Sequence, residues 1–203
     1  MLKIAVLVSG SGSNLQAIMD NIDSGYLNCS IEAVISDKKD VYGLERAKSK
    51  NIKTYVVDKK EYGAKLSDKI LDIVQGKIDL IVLAGFLSIL QGNLIEVFEN
   101  KIINVHPSLI PAFCGPGMYG IKVHECAIEY GVKVSGCTVH FVDKCTDSGA
   151  IIIQKVVEVY SEDTAKDLQL RVLKEEHIAL SEAIKYISEG TMKIQGRKVG
   201  KVE

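Results

Sequence analysis

The chain alternates between two kinds of segment. Short runs rich in β-branched residues are apolar at nearly every position: "KIAVLV" (3–8), "IEAVIS" (31–36), "KTYVV" (53–57), "DLIVLA" (79–84) and "KIINV" (101–105). Between them lie longer amphipathic stretches near 14–24, 41–50, 61–75 and 91–99. Strands apolar on both faces belong inside a covered sheet, and a regular βαβα rhythm makes that sheet mostly parallel. The expectation is an open, doubly wound α/β fold with helices on both faces. After residue 130 the pattern changes. "KVSGCTVHFVD" (133–143) and "AIIIQKVVEVY" (150–160) read as two strands joined by a loop short enough for an antiparallel hairpin. A long helix is predicted from about Thr164 to Ser188, with capping residues before it and Gly190 as its stop. The last stretch, "TMKIQGRKVGKVE", offers a small edge strand or a trailing end.

Length and composition narrow the class. A chain of 203 residues without repeats, low-complexity tracts or a linker suits a single domain spanning 1–203. A net charge of −1 with no long basic run argues against nucleic acid as a partner. No apolar run approaches the roughly 18 residues of a membrane span, and "MLKIAVLVSGSGSN" lacks a signal-cleavage pattern. The five cysteines are scattered and form no CxxC pair, as in a reduced, cytoplasmic protein.

Two stretches carry candidate chemistry. "VLVSGSGSNLQAIM" is a strand, a glycine-serine loop and a helix start. Backbone amides at a helix N-terminus form an anion site, and glycine lets a phosphate approach closely. A Walker A loop would need Lys-Ser/Thr where Ser13-Asn14 stands. A dinucleotide fingerprint would need a third glycine where Leu15 stands, although Asp37 at the end of the second strand fits that reading. A phosphate monoester held by Gly12, Ser13 and Asn14 remains, beside a plain tight turn with Ser13 or Asn14 as N-cap.

The second stretch is "KIINVHPSLIP" (101–111). Strand side chains alternate, so Asn104 and His106 share a face, and Pro107 keeps His106 extended. The pair then stands at the carboxyl end of a parallel strand, where open α/β sheets bind ligands. An amide beside an imidazole can donate two hydrogen bonds to a developing oxyanion. Asp147, in "CTDSGAI" with Gly149 allowing an unusual turn, is the candidate carboxylate for the imidazole; Asp143 is its rival, and either fits a turn aspartate. His140 reads as a hydrogen-bonded core residue and His124 as a surface residue on a predicted helix. His177 fits either a pocket wall or helix packing. No His/Cys spacing offers a zinc site, so no metal is expected, and Cys114 has no paired base to make it a nucleophile.

Taken together and in order, "VLVSGSGSNLQAI", "ISDKKDVYGLERA", "IVLAGFLSIL", "INVHPSLIP", "TVHFVD" and "DSGAIIIQ" resemble the phosphoribosylglycinamide formyltransferase family over nearly the whole chain. The resemblance implies a Rossmann-like domain with a phosphate-binding half at about 1–100 and a folate and catalytic half at about 101–190. It implies transfer of the formyl group of 10-formyltetrahydrofolate, a co-substrate, to the amine of glycinamide ribonucleotide in de novo purine synthesis. The family's catalytic trio falls on Asn104, His106 and Asp147, with the first two stabilising an oxyanion and Asp147 orienting His106 and aiding proton transfer. Its substrate-binding residues fall on Gly12, Ser13, Asn14 and Glu176. Its folate pocket falls on Leu87, Ser88, Ile89, Leu90 and Asn104, with Lys60 as the basic residue near the third strand's exit. Ser88 stands where relatives often carry arginine, Cys114 where proline is common, and Ala150 where a proline would follow "DxG". Only small-molecule partners are implied, for a cytoplasmic monomer or homodimer that binds neither nucleic acid nor membrane. Two other readings stay open: a dinucleotide-binding module, and a deformylase that gives the formyl group to water.

Overall fold

A computed structural model describes residues 1–201. The parallel half contains β1 (Leu2–Val8), β2 (Cys29–Ser36), β3 (Thr54–Val56), β4 (Leu80–Leu83) and β5 (Ile102–His106). Interleaved helices are α1 (Ser13–Asp23), α2 (Tyr42–Ser49), α3 (Lys59–Tyr62), α4 (Leu66–Val74) and α5 (Asn93–Val97). After α6 (Ile121–Tyr130) come β6 (Val134–Phe141) and β7 (Ile151–Glu158), then α7 (Ala165–Ser188) and a closing hairpin of β8 (Met192–Gln195) and β9 (Lys198–Lys201). The nine strands of the described residues join one sheet in the order β3-β2-β1-β4-β5-β6-β7-β9-β8. Pairing is parallel from β3 to β5, and antiparallel where β6 meets β5 and β7.

The apolar runs form strands because each side chain has a covered face to enter. On β1, Ile4, Val6 and Val8 enter a core shared with Leu15 and Ile18 of α1 and Leu168, Val172 and Leu180 of α7. Ala5 and Leu7 enter a second core with Ile70 and Val74 of α4 and Leu94 and Phe98. Full burial of one such aliphatic side chain is worth ~1.5–3 kcal/mol. The 24 residues of α7 begin at a capping box, in which Thr164 and Asp167 satisfy each other's backbone amides.

The structure bears out the doubly wound reading and redraws some boundaries. The helix expected over 61–75 is broken into α3, a 3-10 turn at Gly63–Lys65, and α4, because Gly63 takes φ 50°. The helix expected over 91–99 shrinks to α5, bounded by Gly92 at φ 67° and Asn100 at φ 56°. The strand expected over 101–105 runs on through His106, which pairs with Thr138 of β6. The edge strand considered for 191–203 is the β8–β9 hairpin; residues 202–203 lie outside the described residues.

Candidate active site

A cleft of about 880 Å³ opens over the carboxyl ends of β1, β2, β4 and β5, in the size range of small-molecule sites. One end is the glycine loop. Gly12 is the N-cap of α1 in a left-handed conformation, φ 70°, and no side chain caps the helix. Ser13 and Asn14 are therefore not N-caps, and the first-turn amides lack intrahelical partners at the cleft. Asn14 is buried, and its Nδ2 donates to Glu176 Oε2 at 2.8 Å, while its Oδ1 has no partner. Glu176 reaches this point from α7; burial pushes its carboxyl up, against the Asn14 hydrogen bond. The four residues singled out for phosphate and ribose thus share one end of the cleft.

The other end holds the polar trio, and strand register explains its placement. Asn104 lies opposite His140 across the β5–β6 ladder, and Asn104 Nδ2 is 3.2 Å from His140 Nε2. His140 Nδ1 is 2.8 Å from the Phe141 carbonyl oxygen, which can only accept. The imidazole must therefore carry its proton on Nδ1 and accept from Asn104 through Nε2. Burial pushes His140 down, in keeping with a neutral ring, although the Phe141 carbonyl and Asp147 act upward. His140 is thus the hydrogen-bonded core residue that the sequence suggested, and it fixes which way the Asn104 amide points.

His106 and His140 flank Asp147. His106 Nδ1 is 3.6 Å from Asp147 Oδ2, and His140 Nε2 is 3.7 Å from Asp147 Oδ1. Asp147 Oδ2 also accepts from the Gly115 amide at 2.8 Å. The rival Asp143 instead accepts from Cys145 N and Ser148 Oγ within its own loop. His106 Nε2 donates to the Phe113 carbonyl at 2.9 Å.

His124 corrects the sequence reading. It was expected at the surface, yet it is 1 % exposed and lines the cleft from α6. Burial and the neighbouring His106 charge push it down to about 4, and its Nδ1 has no partner. The sequence signal was available in part: His124 shares a helix face with the buried Ala127, three residues on.

The 85–90 segment forms one wall, with Phe86, Ser88 and Leu90 buried and Leu87 and Ile89 exposed. Leu87 N donates to Ser9 Oγ at 2.8 Å, and Ser88 Oγ to Asp37 Oδ2 at 2.7 Å. Asp37, considered above for a dinucleotide ribose, is buried and engaged by Ser88. Lys59 and Lys38 line the cleft, whereas Lys60 is exposed and does not. His177 belongs to a separate shallow cleft with Asn21, Tyr26, Ile178 and Ser181. Cys114 stays a poor nucleophile, since burial and the Asp147 charge push its thiol up. Among the described residues, no group of three His, Cys, Asp or Glu side chains is arranged to hold a metal ion. Nor is any helix among them long and apolar enough to cross a membrane.

Comparison with known proteins bears on this geometry. The profile of the family described as Formyl transferase matches residues 2–184. A phosphoribosylglycinamide formyltransferase of Haemophilus influenzae is 40% identical over 198 residues, covering 96% of this chain and 91% of that protein. The crystal structure of glycinamide ribonucleotide transformylase 1 from Symbiobacterium toebii superposes with a TM-score of 0.94 at 41% identity, covering 100% of this chain and 95% of that one. A formyltetrahydrofolate deformylase from Pseudomonas syringae shares the fold, with a TM-score of 0.90 at 24% identity, but this chain covers only 66% of it.

Proposed function

The chain belongs to the formyl transferase family, and from that membership we propose that it transfers the formyl group of 10-formyltetrahydrofolate to the primary amine of glycinamide ribonucleotide. The observation that carries this reading is one cleft with two chemically distinct ends. An uncapped helix start with Asn14 and Glu176 suits a phosphorylated ribose, and Asn104, His106 and Asp147 suit acyl transfer. The apolar wall of Leu87, Ile89 and Leu90 in the same cleft suits a flat ring system. In the cell the reaction would be a one-carbon step of de novo purine synthesis, carried out in the cytoplasm.

The substrate supplies its own nucleophile, so no activated serine or cysteine is needed. The amine attacks the formyl carbon, a C–N bond forms, and the formyl oxygen gains negative charge. Asn104 Nδ2 has a second N–H besides the one given to His140, and His106 in its imidazolium form supplies another donor. For that donor to be Nε2–H, the ligand oxygen must displace the Phe113 carbonyl, a change consistent with catalytic contacts that tighten only on binding. Two such donors favour the oxyanion, and losing one typically costs about 10²–10³ in rate. Asp147 holds His106 and helps carry the proton from the attacking amine to the folate nitrogen N10. The bond from the formyl carbon to N10 then breaks, leaving the formylated amide and tetrahydrofolate. Binding of the distant phosphate fixes the amine's approach.

Absorbance-monitored loss of 10-formyl groups, with and without glycinamide ribonucleotide, tests this reading. Turnover only with the ribonucleotide supports it. Turnover in water alone would mean a deformylase instead.

A further inference from the structure

The glycine loop is braced from behind by α2, in a way that the proposed chemistry does not use. Gly43 N donates to the Gly10 carbonyl at 3.0 Å. A Cβ at Gly12 would meet Gly43 Cα at 2.6 Å, so the two backbones touch at a pair of glycines. One turn further along α2, Arg46 Nε donates to the Ser11 carbonyl at 2.9 Å, and its Nη1 to Gln16 Oε1 at 2.9 Å. The guanidinium also lies over the Tyr42 ring, 4.7 Å from its centroid.

Every one of these Arg46 partners is neutral, and no ion pair among the described residues includes it. The nearby surface cations Lys48 and Lys50 do find carboxylates. Arg46 does not line the cleft; it packs against the loop from the α2 side. Its hydrogen bond turns the Ser11 carbonyl toward α2. That keeps one acceptor oxygen out of an anion site and leaves the following amides to face it. A guanidinium cannot lose its proton in a protein, so the loop has a permanent positive charge behind it; the nearest carboxylate in this network, Asp20, is reached only through Gln16.

We propose that Arg46 is a positioning residue for the phosphate of the phosphorylated substrate. It fixes the Ser11–Asn14 backbone with its amides inward, and its charge favours a phosphate ester over an uncharged alcohol without contacting either. The inference rests on the reading of the glycine loop as the phosphate end of the cleft. It goes beyond that reading by assigning phosphate selectivity to a residue outside the cleft.

The test uses the full chain with Arg46→Gln, which removes the charge, and Arg46→Lys, which keeps it. Calorimetry with ribose 5-phosphate and with ribose reports the loop independently of turnover. KM and kcat are then measured for glycinamide ribonucleotide and for its dephosphorylated riboside. With Arg46→Gln, ribose 5-phosphate affinity should fall and ribonucleotide KM rise by about tenfold or more, the scale of a hydrogen bond to a charged group. kcat and the riboside KM should stay put, and Arg46→Lys should recover much of the loss. Equal losses for phosphorylated and dephosphorylated ligands would show a collapsed loop and overturn the inference. So would an unchanged ribose 5-phosphate affinity, or its absence in the unaltered protein. Ribose 5-phosphate binding that depends on Arg46, without formyl transfer, would keep the inference and refute the proposed reaction.

Discussion

The left-handed backbone of Asp147, φ 53°, brings its carboxylate between His106 and His140. Non-glycine residues are uncommon in that region, though aspartate tolerates it better than most. Sequence spacing could not separate Asp147 from Asp143, because the difference lies in the loop's path rather than in residue type. His124 was legible as a helical residue sharing a face with Ala127, but its place on the cleft wall was not. Its burial has a consequence for stability. The folded-state value of about 4 lies below the ordinary histidine value of 6.5, so the unfolded chain binds more protons between those limits. The corresponding stability is fully present above about pH 6.5 and is lost as pH falls toward 4, on the order of 3 kcal/mol. His140 and His177 are also pushed down by burial and act with the same sign, whereas the raised Glu176 acts oppositely. Urea unfolding of His124→Gln at about pH 7.5 and 5 should therefore show a shallower acid loss than the unaltered chain; an unchanged slope would contradict this account.

Among elements, the β6–β7 hairpin does most to assemble the proposed catalytic end. Its ladder shifts register between Val139 and His140, and the chain returns along it through Gly149 and Ala150, whose carbonyl accepts from Phe141 N. Gly149 was expected to permit an unusual turn. Its actual constraint is close approach, because an added Cβ would overlap the Phe141 carbonyl oxygen. The left-handed residue of that loop is Asp147 itself. Gly149→Ala must push the 143–149 loop away from β6, at a cost of about 1–3 kcal/mol in a packed site. It should also lower kcat, because Asp147 moves with the loop. Denaturant titration alongside steady-state kinetics checks both effects, and full stability with full turnover would refute the close-packing argument. The strands were legible because burial on both faces leaves continuous apolar runs. The short α5 and broken α3–α4 were not, because positive-φ backbone at Gly63, Gly92 and Asn100 sets those boundaries.

Across the whole molecule, the sheet gathers residues far apart in sequence at one crevice. Strand alternation and Pro107 made the shared face of Asn104 and His106 at a strand end readable, and the glycine pattern made the loop before α1 readable. The Asn14–Glu176 contact spans 162 positions and the Ser88–Asp37 bond spans 51. Both depend on how α7 and the 85–90 segment pack over the sheet ends, which no local pattern encodes. Asp147 is proposed to serve the chemical step rather than ligand capture. The most direct measurement is kcat for Asp147→Asn, set beside calorimetric affinities for glycinamide ribonucleotide and a non-transferable folate analogue. For this variant kcat should fall by about 10²-fold or more, the range of a lost acid–base group, while both affinities stay within about threefold. Affinities that fall as far as kcat, in a protein that still folds, would contradict it.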